Sequence, residues 1–216
     1  MGGTFDPVHQ GHLAVAARVK DYFSLDSVIF VPAWMPPHKQ EAPVSSFAHR
    51  LAMLKLAVAA CPGFKVSSLE AERSGPSYTI DTLVELKNRL ADQARIYFII
   101  GIDAFVEIPS WKQYQRLPDL ANFVVIEREG LKLGDDPGSV VANFSGYSFD
   151  RESKAWVALD RKGRIYPLAM EPVNVSSTMV RQRIGEGKSI FGLVPGDIED
   201  YIARHGLYGG FASLIS

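Results

Sequence analysis

Gly2-Gly3-Thr4-Phe5-Asp6-Pro7-Val8-His9-Gln10-Gly11-His12 sets a glycine-led turn ahead of two histidines three positions apart. Glycines let backbone N–H groups approach a phosphate closely, and a helix starting behind them adds about half a positive charge at its N-terminus. Such a segment is an anion cradle. If the helix has begun by His9, the His9 and His12 rings lie one turn apart and can address one ligand. Near its ordinary pKa, a histidine donates to phosphate oxygens as charge builds during phosphoryl or nucleotidyl transfer. The plain alternative is a tight turn with one exposed and one core histidine. Zinc is the weaker reading, because two histidines with no nearby cysteine and no third ligand in a zinc pattern are too few. The segment has neither G-x-G-x-x-G nor the lysine of a P-loop.

Three other segments carry groups of the same kind. Asn174-Val175-Ser176-Ser177-Thr178-Met179-Val180-Arg181 sets hydroxyls at a helix start and an arginine one turn later. It reads either as an ordinary capped helix or as hydroxyls, N–H groups and a guanidinium offered to a phosphate. Pro36-Pro37-His38-Lys39 is a stiff turn presenting His38 and Lys39, by default a solvated loop. The Ile96–Ile100 run leads into Gly101-Ile102-Asp103, a glycine and a carboxylate at the C-terminal edge of a strand. Open α/β sheets take ligands there, and Asp103 suits either a ribose hydroxyl or a helix N-cap.

The elements that must hold these segments alternate between short β-branched runs and longer stretches of helical period. Strands are predicted at 27–31, 64–67, 95–100, 123–126 and 165–169, and helices at 11–22, 46–60, 79–90, 118–121, 177–184 and 195–205. The first helix is amphipathic through Leu13, Ala16, Ala17, Val19 and Phe23, and the third through Leu83, Leu86 and Leu90. The pattern predicts an α/β fold, a Rossmann-like doubly wound parallel sheet over residues 1–190 with a small C-terminal helical segment, 191–216, packed on it. Residues 130–163, rich in Gly, Asp, Ser and Lys, break the rhythm and read as an elaborated loop with room for a short helix or strand pair. If Phe144, Tyr147 and Trp156 are exposed there, they offer a surface to a partner or a second subunit, so a homo-oligomer is compatible with the sequence.

The 216 residues, 47% hydrophobic and 22% charged, suffice for a full core. With 23 Lys+Arg against 24 Asp+Glu there is no global basic field to hold nucleic acid or an anionic membrane, so any anion is bound locally. No apolar run approaches the roughly 20 residues of a membrane span and no signal peptide is evident, which makes cytoplasm the expected location. Cys61, the one cysteine, excludes an internal disulfide; it lies at a helix end with no paired base and is read as structural.

The segment 2–12 resembles the G-G-T-F-D-P-x-H-x-G-H motif of the H-x-G-H nucleotidylyltransferases. That resemblance implies roles for His9 and His12 in stabilising the phosphates of ATP at the transition state, with Gly3, Thr4 and Phe5 on the ATP side. Residues 174–181 resemble the family's I-S-S-T-x-I-R motif, which implies that Ser177, Thr178 and Arg181 act on the triphosphate. Pro36–Lys39 matches its P-P-H-K loop, which implies phosphate contacts for Lys39 on ATP and His38 on the acceptor. The strand-G-x-D match implies that Gly101 and Asp103 lie beside the adenosine.

H-x-G-H alone leaves the acceptor open among phosphopantetheine, choline phosphate, glycerol phosphate and pyridine mononucleotides. Ser77-Tyr78-Thr79-Ile80-Asp81-Thr82-Leu83 resembles the S-Y-T-x-D-T-L stretch of pyridine mononucleotide adenylyltransferases, in which backbone near the first threonine reads the pyridine substituent. Trp111 matches the tryptophan on which that ring stacks, and Arg128 a basic residue near the mononucleotide phosphate. Taken singly, Trp111 suits a core, Tyr78–Thr79 a helix cap and Arg128 the surface. The motif order from Gly2 to Tyr208 is similar to the bacterial nicotinate mononucleotide form, with nicotinamide mononucleotide the close rival. The implied reaction is in-line attack on the α-phosphorus of ATP, with Mg2+ carried by the triphosphate and no dedicated metal site. A nucleotide-sensing module and a protein-interaction role are the readings from other classes. Family members place a strand before the glycines, whereas this chain opens at Met1-Gly2. A native start several residues upstream and a weakly held turn are therefore expected.

Overall fold

The computed structural model describes residues 1–36, 45–91, 93–128, 133, 141, 144, 146–160, 162–171 and 173–209. The chain forms two compact units, Met1–Gly2 with Pro76–Pro172 and Gly3–Gly75 with Val173–Ser216. The structure keeps the alternation of strand and helix read from the sequence. Among the described residues no helix is long and apolar enough to cross a membrane.

In the unit built on Gly3–Gly75, α1 (Gln10–Tyr22) and α2 (Phe47–Ala59) connect the strands of a three-stranded sheet ordered β1-β2-β3, namely Gly2–Gly3, Val28–Pro32 and Phe64–Val66. β2 and β3 run parallel, with Val28 opposite Phe64 and Phe30 opposite Val66. Phe30 and Val31 are buried, as expected of a strand covered on both faces. On α1 the buried face is Gly11, Ala16 and Val19. Ala17, expected on the apolar stripe, is exposed, because it lies one step, about 100°, round the helix from the buried Ala16 and falls beside the stripe. α5 (Ser177–Gly185) and α6 (Gly196–Arg204) complete this unit, α6 packing on α2 through its buried Ile198 and Ile202.

The unit built on Pro76–Pro172 holds α3 (Thr79–Arg89), β4 (Tyr97–Gly101), α4 (Ile102–Val106), β5 (Asn122–Ile126), β6 (Ser148–Asp150), β7 (Ala155–Val157) and β8 (Ile165–Leu168). The sheet order is β4-β5-β8-β7-β6. β4, β5 and β8 are parallel, with Phe98 opposite Phe123 and Phe123 opposite Ile165; β7 and β6 close the sheet antiparallel. The helical turn expected at 118–121 lies earlier, as a 3₁₀ turn over Tyr114–Asp119, because Pro118 has no N–H to continue an α-helix.

The β6–β7 hairpin is the strand pair allowed for within 130–163. Its aromatics do not form a surface. Trp156 and Phe144 are buried against Phe105, Phe123 and Ile165, and the Tyr147 hydroxyl donates to the Gly163 carbonyl. A hairpin added to a parallel sheet must cover one face, and these rings supply the apolar area. The interaction reading loses the exposure on which it depended.

Candidate active site

In the Gly3–Gly75 unit the glycine turn is fixed by buried groups. The Ala33 N–H donates to the Gly3 carbonyl at 2.9 Å, so the turn is laced to the residue following β2. Phe5 takes a positive φ of 52° and buries its ring, leaving it 2% exposed between His12 and Phe30. The Phe5 ring therefore packs the turn from behind, and only the backbone of this residue is left to meet a ligand. A side chain at Gly3 would meet that ring at 3.1 Å, which accounts for the glycine.

Arg50, 2% exposed, secures the same turn. Its guanidinium donates to the Thr4 carbonyl at 2.9 Å and, through Nε, to the Ser45 carbonyl at 3.1 Å. Burial lowers its pKa, and the carboxylate of Asp6 pushes it back up. Asp6 accepts from the Ser45 N–H at 3.1 Å on Oδ2 and from the Tyr208 hydroxyl at 2.6 Å on Oδ1. Burial first, and this bond second, raise the Tyr208 pKa. The expectation of a weakly held turn is thus corrected: buried charges and carbonyls pair around it and fix its backbone.

His9 is extended, at the N-cap, and α1 begins one residue after it. The two rings still meet, stacked with centroids 3.6 Å apart and planes 25° from parallel. Gly11 makes room, since a Cβ there would lie 3.1 Å from His9 Nδ1 and 3.2 Å from Val175. The His9 backbone N–H donates to His12 Nδ1 at 3.2 Å, which leaves the neutral His12 ring its proton on Nε2. Burial, and then the neighbouring His9, lower the His12 pKa to about 3. The expectation of an ordinary pKa is corrected: in the free protein His12 is a neutral donor at pH 7. Of the first N–H groups of α1, that of Gln10 is taken by the Leu193 carbonyl at 2.9 Å.

α5 docks onto this turn. Ser176 is its N-cap and accepts from the Met179 N–H at 3.1 Å. The Ser177 hydroxyl donates to the Pro7 carbonyl at 2.9 Å, and Arg181 donates to the Asp6 carbonyl at 2.7 Å and reaches Thr178 Oγ1 at 3.3 Å. The hydroxyl hydrogen of Ser177 is thereby committed to the turn. What α5 presents to an anion is its first-turn N–H groups, Ser177 and Thr178 among them, for which no intrahelical carbonyl exists. His38 and Lys39 lie outside the described residues.

The remaining candidates belong to the Pro76–Pro172 unit. Tyr78 is the extended N-cap of α3 and Thr79 its first residue. Trp111, half-buried, ends a 3₁₀ turn over Ile108–Ser110 and packs edge-on to Phe98 at 6.3 Å. It borders the core without being enclosed by it. Gly101 caps α4, so Asp103 stands in the first turn and is not the N-cap. Its carboxylate pairs with Arg128 at 2.9 Å, the side chains 55% and 70% exposed. Two residues read separately, one for the adenosine and one for the acceptor phosphate, are partners here.

Reading the sequence missed Arg50, Asp6, Tyr208 and Lys112. Arg50 had a signal, because it occupies the first position of the buried stripe 50, 53, 54, 57 of α2, where a charge requires partners. Lys112 had none, for its contacts are made 31 residues away with Asp81, at 2.9 and 3.3 Å, and over the Tyr78 ring at 4.7 Å.

The profile of the cytidylyltransferase-like family matches residues 1–183. A probable nicotinate-nucleotide adenylyltransferase of Desulfatibacillum aliphaticivorans is 38% identical over 212 residues, spanning 96% of this chain and 97% of its own. One of the same description from Thermus thermophilus is 41% identical over 207 residues, spanning 96% of each chain. Among solved structures, Plasmodium falciparum nicotinic acid mononucleotide adenylyltransferase complexed with NaAD aligns with a TM-score of 0.73 at 20% identity, covering 96% of this chain and 94% of that one. This last likeness establishes the Rossmann-like α/β fold.

Proposed function

The chain belongs to the cytidylyltransferase-like family, and we propose that it transfers the adenylyl group of ATP to nicotinate mononucleotide, forming deamido-NAD and pyrophosphate in NAD synthesis. One observation carries the reading. Motifs about 170 residues apart converge within one unit, the stacked His9 and His12 at the start of α1 and α5 bonded through Ser177 and Arg181 to the Asp6–Pro7 carbonyls.

The acceptor phosphate is already ionised, so the reaction needs alignment and charge neutralisation more than a base. The N–H groups of the turn at Gly3, Thr4 and Phe5, with those of Ser177 and Thr178, cradle the triphosphate. His9 and His12 donate to its oxygens as charge shifts toward pyrophosphate, and Arg181 neutralises it. Lys39 and His38 extend the same set. Gly101 and Asp103 serve the adenosine, and Arg128 the acceptor phosphate. Tyr78 and Thr79 read the pyridine substituent, and Trp111 offers its face to the ring, a stack worth about 0.5–1.5 kcal/mol beyond burial. Magnesium enters as part of the ATP substrate, preferring phosphate oxygens and water. The substrates place the work in the cytoplasm.

Pyrophosphate release with ATP–Mg and each acceptor tests the reading. Turnover is expected with nicotinate mononucleotide. Turnover with phosphopantetheine or another phosphate ester, and with neither pyridine mononucleotide, overturns it.

A further inference from the structure

Backbone N–H groups read the hydrogen-bonding pattern of the substituent, two accepting oxygens in a carboxylate against one oxygen and a donating NH2 in a carboxamide. The formal charge is a second difference, and a fixed cation reads it. Beside the Tyr78 cap of α3 stands such a cation, Lys112, directly after Trp111 in the chain. Its ammonium lies 4.7 Å from the centroid of the Tyr78 ring and 2.9 Å and 3.3 Å from the two Asp81 oxygens. Ring and carboxylate together hold a long, flexible side chain in one place. Asp81 belongs to the first turn of the same helix that Tyr78 caps.

We propose that Lys112 strengthens the preference for a nicotinate over a nicotinamide ring that the backbone at Tyr78 and Thr79 reads, and that Asp81 tunes its share by holding the ammonium. This deepens the acceptor reading above and rests on it. A carboxylate between the α3 cap and Trp111 draws the ammonium from Asp81 and gains a charge partner. A carboxamide gains nothing and leaves the pair intact. Asp81 therefore competes with the substrate for the cation. Both side chains are 41% exposed, so the gain is screened and amounts to about a two- to fivefold preference.

Steady-state kinetics with ATP–Mg and each pyridine mononucleotide on the full chain tests this, reading the ratio of kcat/KM for the nicotinate and nicotinamide forms. Lys112→Gln is expected to lower the ratio about two- to fivefold, chiefly through KM for the nicotinate form. Lys112→Arg is expected to hold it, and Asp81→Asn to raise it. A merely structural pair lowers both activities alike and leaves the ratio where it was, which overturns the proposal. A fall of the ratio in Asp81→Asn overturns it as well. Thermal midpoints confirm that each variant is folded. Failure of the unaltered protein on both mononucleotides removes the acceptor reading and this inference with it, whereas nicotinate turnover with an unmoved ratio removes only the role of Lys112.

Discussion

The glycine turn with its two histidines and the surroundings of the α3 cap are built by opposite means. Around the turn the polar groups are buried or half-buried and mutually bonded: Arg50 to the Thr4 and Ser45 carbonyls, Asp6 to Ser45 and Tyr208, and Arg181 to the Asp6 carbonyl. Around α3 the charges are exposed and pair two by two, Lys112 with Asp81 and Arg128 with Asp103. A buried network fixes backbone positions and cannot lose a member cheaply, whereas an exposed pair exchanges partners at a cost of about 0–1 kcal/mol. In the proposed reaction the turn would serve the step common to all acceptors. The α3 region would serve the choice among them.

The sharpest break in this contrast is His12→Ala. Turnover is expected to fall about 10²–10³-fold, the cost of removing one donor to a developing charge, while the thermal midpoint changes little. Equal turnover removes the assigned role. Arg50→Ala is expected to cost about 3–5 kcal/mol in chemical denaturation, because it leaves the Thr4 and Ser45 carbonyls without their donor and removes the cation that offsets the Asp6 charge. A loss below about 1 kcal/mol would show that the turn holds without it. Trp111→Ala tests the other side: KM for the mononucleotide should rise about two- to twelvefold at nearly constant kcat, the value of the lost stack. Arg128→Gln is expected to leave stability within about 0.5 kcal/mol while raising the same KM, since its ion pair is exposed.

The smallest effect concerns pH. Folded, His12 has a pKa of about 3 against an ordinary 6.5, so between these values the unfolded chain binds the proton that the folded chain does not. Its contribution is therefore a loss of stability as pH falls below about 6.5, growing down to about 3. Followed from about pH 7 to about pH 4, the melting midpoint of the unaltered protein should fall more steeply than that of His12→Gln, which lacks this titration. Parallel curves would remove the depressed pKa.

Much of the candidate site was legible because its signals are local. Glycines before a helix, histidines at a fixed spacing and hydroxyls at a helix start restrict φ, ψ and side-chain direction within a few residues, and those restrictions are what place His9, His12, Ser177 and Arg181. The strands β2, β4, β5 and β8 were legible for a similar reason, since a strand covered on both faces is a continuous apolar run. The 130–163 region was less so. Its rings are spaced irregularly, and burial of Phe144 and Trp156 depends on β5 and β8 being present to receive them.

By itself, then, the sequence determined the strand and helix alternation, the residue types proposed to meet phosphate and the order of the motifs, because each depends on neighbours along the chain. Only the tertiary structure decided which charges pair: Arg50 with the Thr4 carbonyl 46 residues away, Lys112 with Asp81, Arg128 with Asp103, and the Ser177 hydroxyl with Pro7 across 170 residues. It also decided that His12 is neutral, because burial and the stacked His9 exist only once the chain has folded.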